Sequence, residues 1–134
     1  MNKVEALDRF FSEYERTVNS GLAEPEATDG KANAEAFADC FFEASPAGIV
    51  CRRNDADFRA RLPQGFEFYK KLGTSSMKIL SLLPAQLDEH HWTVKIRWGT
   101  VFREEAAAVE FDVIYLVQDI SGRIKIIGCI AGEH

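Results

Sequence analysis

A chain of 134 residues, 46% hydrophobic and 28% charged, has the make-up of a globular domain large enough to bury an ordinary core. A formal charge of −5, from 21 acidic and 16 basic side chains with no basic cluster, has the wrong sign for a nucleic-acid partner. No apolar run approaches membrane-spanning length, and Met1-Asn2-Lys3-Val4-Glu5 lacks the apolar centre of a signal peptide, so the sequence predicts a cytoplasmic protein without membrane association.

Val4, Leu7, Phe11, Tyr14 and Val18 recur at spacings of three and four among charged residues, which predicts an amphipathic helix ending near Asn19-Ser20-Gly21. Residues 21–33 are polar, with Pro25 and Gly30, and read as a mobile loop able to act as a lid. A second helix is expected next, turning Ala34, Phe37, Ala38, Phe41 and Phe42 inward. Residues 47–52 form a short strand candidate. Asn54 or Asp55 then caps a third helix that buries Phe58, Leu62, Phe66, Tyr69 and Leu72. Pro63 and Gly65 should kink or split it, and Gly73 should end it.

The second half reads as a four-strand antiparallel meander. In residues 92–102, Trp92, Val94, Ile96, Trp98, Thr100 and Phe102 share one face, the period-2 mark of a strand with one side buried. Val109, Phe111, Val113, Tyr115 and Val117 repeat the pattern, joined to the first by a polar and small-residue loop, residues 103–108. Asp119-Ile120-Ser121-Gly122 makes the next turn, and residues 123–131 the last strand. Centring each hairpin on its turn puts Met77, Ile79, Ser81 and Leu83, and Ile124, Ile126, Gly128 and Ile130, on that same inner face. The outer face mixes Leu80, Leu82, Ile114, Leu116, Ile127 and Cys129 with Lys78, Arg97, Asp112 and Lys125, a composition suited to self-association. Cys40, Cys51 and Cys129 show no metal-ligand spacing and read as reduced structural thiols. Nothing in the sequence calls for a metal or a cofactor.

Helices followed by antiparallel strands indicate an α+β domain, with three N-terminal helices packed on the inner face of a cone-shaped curved sheet. That order resembles the nuclear transport factor 2-like superfamily, and within it the SnoaL-like proteins. The resemblance is carried by Phe11 and Tyr14, Phe41-Phe42, Trp98 in mid-strand and the turn from Asp119 to Ile124, and it covers nearly the whole chain as a single domain, residues 1–134. It implies a cystatin-like cone, a mostly apolar cavity and a homodimer formed through the outer sheet face. Members of the superfamily include isomerases, dehydratases, cyclases, epoxide hydrolases and binding proteins, so the fold does not choose the activity.

Enzymes of this kind place a carboxylate or His on the pocket side of the sheet, where an apolar site raises its pKa toward neutrality. The inner-face set read above has neither. Asp112 and Arg97 are the best remaining polar pair, expected as diagonal neighbours on the outer face unless a β-bulge turns them inward. Tyr14 is a candidate phenol donor to an oxyanion. Trp92, Trp98, Thr100, Tyr115, Phe41 and Tyr69 are candidate ligand-binding residues. Two functions follow as expectations. The first is binding of a small apolar ligand in the cone. The second is a lyase, isomerase or hydrolase that uses Asp112, Arg97 and Tyr14 in acid/base chemistry on a cyclic, polyketide- or steroid-like substrate.

Overall fold

The computed structural model describes residues 2–102 and 108–132. It contains one six-stranded sheet in the order β2-β1-β6-β5-β4-β3, made of β1 (Phe37–Ser45), β2 (Gly48–Arg53), β3 (Thr74–Gln86), β4 (His91–Phe102), β5 (Ala108–Ile120) and β6 (Arg123–Ala131). All neighbours are antiparallel except β1 and β6, which run parallel. The helices α1 (Lys3–Ala23), α2 (Lys31–Ala34) and α3 (Ala56–Lys71) complete an α+β fold with a curved, unclosed sheet. Among the described residues, no helix is long and apolar enough to cross a membrane. Of the connection expected over residues 103–108, residues 103–107 lie outside the described residues, and residue 108 begins β5.

Helix α1 is capped by the Asn2 side chain, which accepts from Glu5 N–H at 2.8 Å. Its apolar stripe buries Leu7 and Phe11 against Trp92, Val94, Ile96, Trp98, Val113, Tyr115, Val117 and Ile126 of the sheet. Polar groups tie both ends of the helix down. Lys3 pairs with Asp119, whose carboxylate is 4% exposed and also accepts from Gly122 N–H at 3.0 Å in the β5–β6 turn. Near the other end, the Asn19 amide exchanges two hydrogen bonds with the Met77 backbone, both 2.8 Å, and Glu15 accepts from Ile79 N–H at 2.5 Å. Because β3 is an edge strand, these side chains satisfy backbone groups that would otherwise lie open.

The expected second helix stops at Ala34, and residues 37–45 are strand β1. Phe37 and Phe41 lie on one face in either structure, because four residues return to the same side of a helix and of a strand. The strand is preferred because it forms a hairpin with β2 around Pro46-Ala47 and a parallel pair with β6. The loop read as a lid is instead packed down, with Gly21, Leu22, Pro25, Gly30 and Asn33 buried and Asn33 bonded to Thr17 Oγ1 at 3.2 Å.

Pro63 does not split α3. Lacking an N–H, it leaves the Arg59 carbonyl without its helical partner, and Gly30 comes so close that a Cβ there would sit 2.3 Å from that oxygen. Gly30 has φ +80°, which reserves the position for glycine twice over. Gly73 ends the helix at φ +100°, as the sequence predicts.

Inner-face parity holds along β4 and β5 but breaks at two bulges. Ile79 pairs with Trp98 and Ser81 with Arg97, leaving Leu80 extra, so Leu82 turns inward and Leu83 outward. Val117 pairs with Ile126 and Leu116 with Gly128, leaving Ile127 extra, so Cys129 and Ala131 turn inward while Gly128 and Ile130 do not. Gly128 lies under the Phe42 ring.

Gly21 in α1 faces the buried Phe66 ring of α3, with an added Cβ meeting ring atoms at 2.3–2.7 Å. Glycine-to-alanine changes inside a helix ordinarily stabilise by up to about 1 kcal/mol. Here the sign reverses: Gly21→Ala is expected to lose about 1–3 kcal/mol as α1 and α3 are forced apart, read from chemical denaturation midpoints.

Candidate functional site

Helices α1 and α3 stand over the inner face of β3, β4 and β5 and enclose a cavity of about 640 Å³. Tyr14, Trp98 and Tyr115 meet at its floor, with ring centroids 6.2–6.3 Å from Tyr14 in edge-on contact. Trp98 Nε1 donates to the Tyr115 hydroxyl at 3.0 Å, which fixes both rings. Phe58, Leu62 and Phe66 of α3 form the opposite wall, and Tyr69 and Leu72 stand half-exposed at the rim. Met77, Thr100, Phe111 and Val113 continue the apolar surface across the sheet.

One end of this cavity is charged. Glu43 and Arg52 come from the β1–β2 hairpin, whose register pairs Glu43 with Val50 and Phe41 with Arg52. The two side chains are therefore diagonal neighbours on one face, and Arg52 Nε donates to Glu43 Oε1 at 2.5 Å. They are 30% and 41% exposed, open to the cavity and to water. Arg61 of α3 lines the same space.

Burial holds the Tyr14 phenol well above the usual range, helped by the Cys129 thiolate once it has ionised and by the Glu43 charge. Burial likewise raises Tyr115, with Tyr14 adding and the Trp98 hydrogen bond opposing. Both phenols stay protonated at neutral pH and can donate. The Cys129 thiol is pushed up to about 11 by burial first and the Glu43 charge second.

The sequence-predicted site residues divide three ways. Tyr14, Trp98, Thr100, Tyr115 and Tyr69 line the cavity. Phe41 and Trp92 are core side chains outside its lining: Phe41 packs at a tilt on Phe37 at 4.6 Å and edge-on to Phe58 at 4.9 Å, and Trp92 is buried with Nε1 unpartnered. Asp112 and Arg97 lie on the outer face, directly opposite rather than diagonal, in an unbroken stretch of β4–β5 register, so no bulge turns them inward. Arg97 Nε is 3.2 Å from Asp112 Oδ1 and its Nη1 3.1 Å from Glu110, with Lys95 at 3.8 Å from Asp112, a ladder of surface charges. The same outer face, where self-association was expected, leaves Leu80, Leu83 and Ile130 exposed.

The inner face thus does carry a carboxylate, contrary to the sequence reading. Glu43 and Arg52 were hidden by the helical reading of residues 37–42. Centring a hairpin on Pro46-Ala47 would have set them side by side. Among the described residues, no cluster of three His, Cys, Asp or Glu side chains is placed to hold a metal ion.

The family model described as NTF2-like protein (DUF6841) matches residues 4–134. The chain belongs to this NTF2-like family. No curated protein matches it. Among solved structures it is similar to an NTF2-like protein of unknown function from Shewanella oneidensis, at TM-score 0.66 and 16% identity over 98% of this chain and 100% of that one. A cystatin-like domain of unknown function from Nostoc punctiforme gives TM-score 0.75 at 13% identity, covering 100% of this chain and 80% of the other. An NTF2-like protein from Novosphingobium aromaticivorans gives 0.68 at 10% identity, with 96% and 79% covered. At these identities the likeness is one of fold.

The thiols provide a pH-dependent check. Only the thiolate attacks, and Cys129 is partly buried and hard to ionise while Cys40 and Cys51 are exposed. A chromogenic disulfide reagent is expected to label two thiols fast and the third only after unfolding. The native Cys129 keeps its proton between the ordinary 9.0 and about 11. Its contribution to stability is therefore intact below pH 9.0 and lost as pH rises through about 11. Three thiols reacting at one rate would contradict this placement.

Proposed function

We propose that this NTF2-like protein binds a small, largely apolar molecule in the cone cavity, its ring system against Trp98, Tyr14 and Tyr115 and a polar substituent toward Glu43 and Arg52. The observation that carries the reading is a cavity of about 640 Å³ with apolar walls and one charged end. That volume lies in the range of small-molecule sites, which combine apolar walls with a few placed polar groups. Glu43 is already engaged by Arg52, so a ligand meets an ion pair rather than an unoccupied base. The finer assignment to the SnoaL-like proteins belongs to the same proposal.

The test is thermal stability against a panel of cyclic apolar compounds with and without keto, hydroxyl or carboxyl groups. A ligand at 100 times its Kd stabilises by about 2.7 kcal/mol, a rise in midpoint of roughly 8–12 °C for a chain of this length. Thr100→Trp, which fills the cavity from β4, should abolish the rise. A broad panel without any shift overturns the reading.

A second reading is favoured by one specific juxtaposition: a carboxylate, Glu43, and a protonated phenol, Tyr14, line the same cavity. With Glu43 taking a proton from a carbon acid and Tyr14 donating to the carbonyl oxygen where charge develops, the cavity would support a lyase or isomerase on a cyclic apolar substrate. Glu43→Gln keeps the shape and removes the base. On this reading turnover of a bound panel compound falls by about 10²–10⁴ with binding retained, while Asp112→Asn on the outer face leaves turnover unchanged. Equal turnover in Glu43→Gln eliminates the acid/base role.

A further inference from the structure

A second hollow, of about 660 Å³, shares no lining residue with the cavity. It borders the stretch where β1 leaves β6. Phe37 pairs with Ile126 and the next pairing is Phe42 with Gly128, so residues 38–41 of β1 stand against Ile127 alone. Lys31 of α2, Arg59 of α3 and Arg123 and Lys125 of β6 line it, against the carboxylates of Glu35 and Asp39. In a chain with a net charge of −5, this is a local excess of positive charge.

Among the described residues, none of these four cations is in an ion pair, whereas Arg16, Arg52 and Arg97 each hold a carboxylate. Their positions are nevertheless set. Lys125 donates to the Glu35 carbonyl, and Gly30 rests on the Arg59 carbonyl, which holds the start of α2 beside α3. Asn54 lines the same groove and donates its amide to Ala34 O at 2.7 Å and Phe37 O at 3.1 Å. Its Oδ1 is left buried with no partner. A buried acceptor without a donor is destabilising, and such a group calls for an explanation.

We propose that this groove binds a compact anion with about two negative charges on a phosphoryl group and a free hydroxyl on its alcohol part, the chemistry of a small hydroxylated phosphate monoester. The Arg59 and Arg123 forks suit the paired oxygens of a phosphoryl group, and Lys31 and Lys125 act as point charges around it. The Asn54 Oδ1 accepts from the hydroxyl. Glu35 and Asp39 repel an anion, which restricts the site to small ligands that can sit among the cations and avoid the two carboxylates. This site is independent of the cavity and stands whether or not the cavity reading does.

Calorimetric titration of the full chain with glycerol phosphate at low salt tests it, with inorganic sulfate as a doubly charged anion that lacks the hydroxyl. Saturable binding is expected, weaker as salt is added and weaker for sulfate. Arg59→Ala/Arg123→Ala is expected to weaken it by about tenfold or more. The circular dichroism and thermal midpoint of that variant should match the wild type, and Arg123→Gln alone, on the exposed start of β6, serves if the double variant does not fold. No binding at millimolar concentration overturns the proposal. So does an affinity unchanged by these substitutions, sulfate binding as tightly as glycerol phosphate, or an RNA oligonucleotide binding more tightly than either.

Discussion

The attachment of α1 to the open edge of the sheet is the constraint on which the other features depend. An edge strand leaves a row of backbone donors and acceptors in need of partners. Glu15 and Asn19, one helical turn apart, provide them to Ile79 and Met77, and Lys3 fixes the far end of the helix to the β5–β6 turn through Asp119. A backbone hydrogen bond contributes about 1 kcal/mol net, and one to a charged acceptor more. The geometric effect exceeds the energetic one. With both ends tied by polar contacts, the helix is held across the concave face, and Tyr14, next in sequence to Glu15, is brought beside Trp98 and Tyr115. The bulge at Leu80 lies at this attachment point, where extra twist lets the strand reach the helix.

The two groups of paired charges differ in what water does to them. The Arg97, Asp112, Glu110 and Lys95 ladder faces outward in high dielectric, where such pairs contribute little. The Glu43–Arg52 pair borders an apolar cavity whose occupant would displace water from it. Displacement strengthens the attraction between the two charges and also removes their hydration, and the second effect can exceed the first unless the occupant supplies hydrogen bonds. A purely hydrocarbon ligand would leave that loss uncompensated. A ligand with a polar group at the Glu43 end would offset it, which is how one ion pair can select among molecules that fit the same apolar walls.

Much of the fold was legible because β4 and β5 alternate strictly, with one side buried, and a period of two has no helical competitor over ten residues. The third helix was legible in its Asp55 cap and its Gly73 stop. What escaped notice has local physical causes. Bulges add a single residue and leave no mark in composition, so Ser81, Leu83, Gly128 and Ile130, expected inward, face outward. Phe37 and Phe41 are four apart, a spacing that both periodicities share, and only tertiary pairing with β6 decides for the strand. That one ambiguity hides Glu43 and Arg52 and leaves Asp112 and Arg97 as the visible polar pair, on the outer face as expected but directly opposite rather than diagonal, and turned away from the cavity.

The departure of β1 from β6 over residues 38–41 has consequences on two surfaces at once. Past it, alternation from Phe37 and Phe41 keeps Glu43 on the inner face, and the resumed register sets it beside Cys129 and near Tyr14, whose proton affinities its charge raises. Within it, Ala38 and Asp39 are freed from β6 and become part of the polar hollow, while Asn54 bridges the gap by bonding Ala34 and Phe37. A regular parallel ladder would have paired residues 38–41 with β6 and left no such interval between the two strands. The irregularity therefore sets which residue of β6, Cys129, stands beside the charged end of the cavity, and it opens the second hollow.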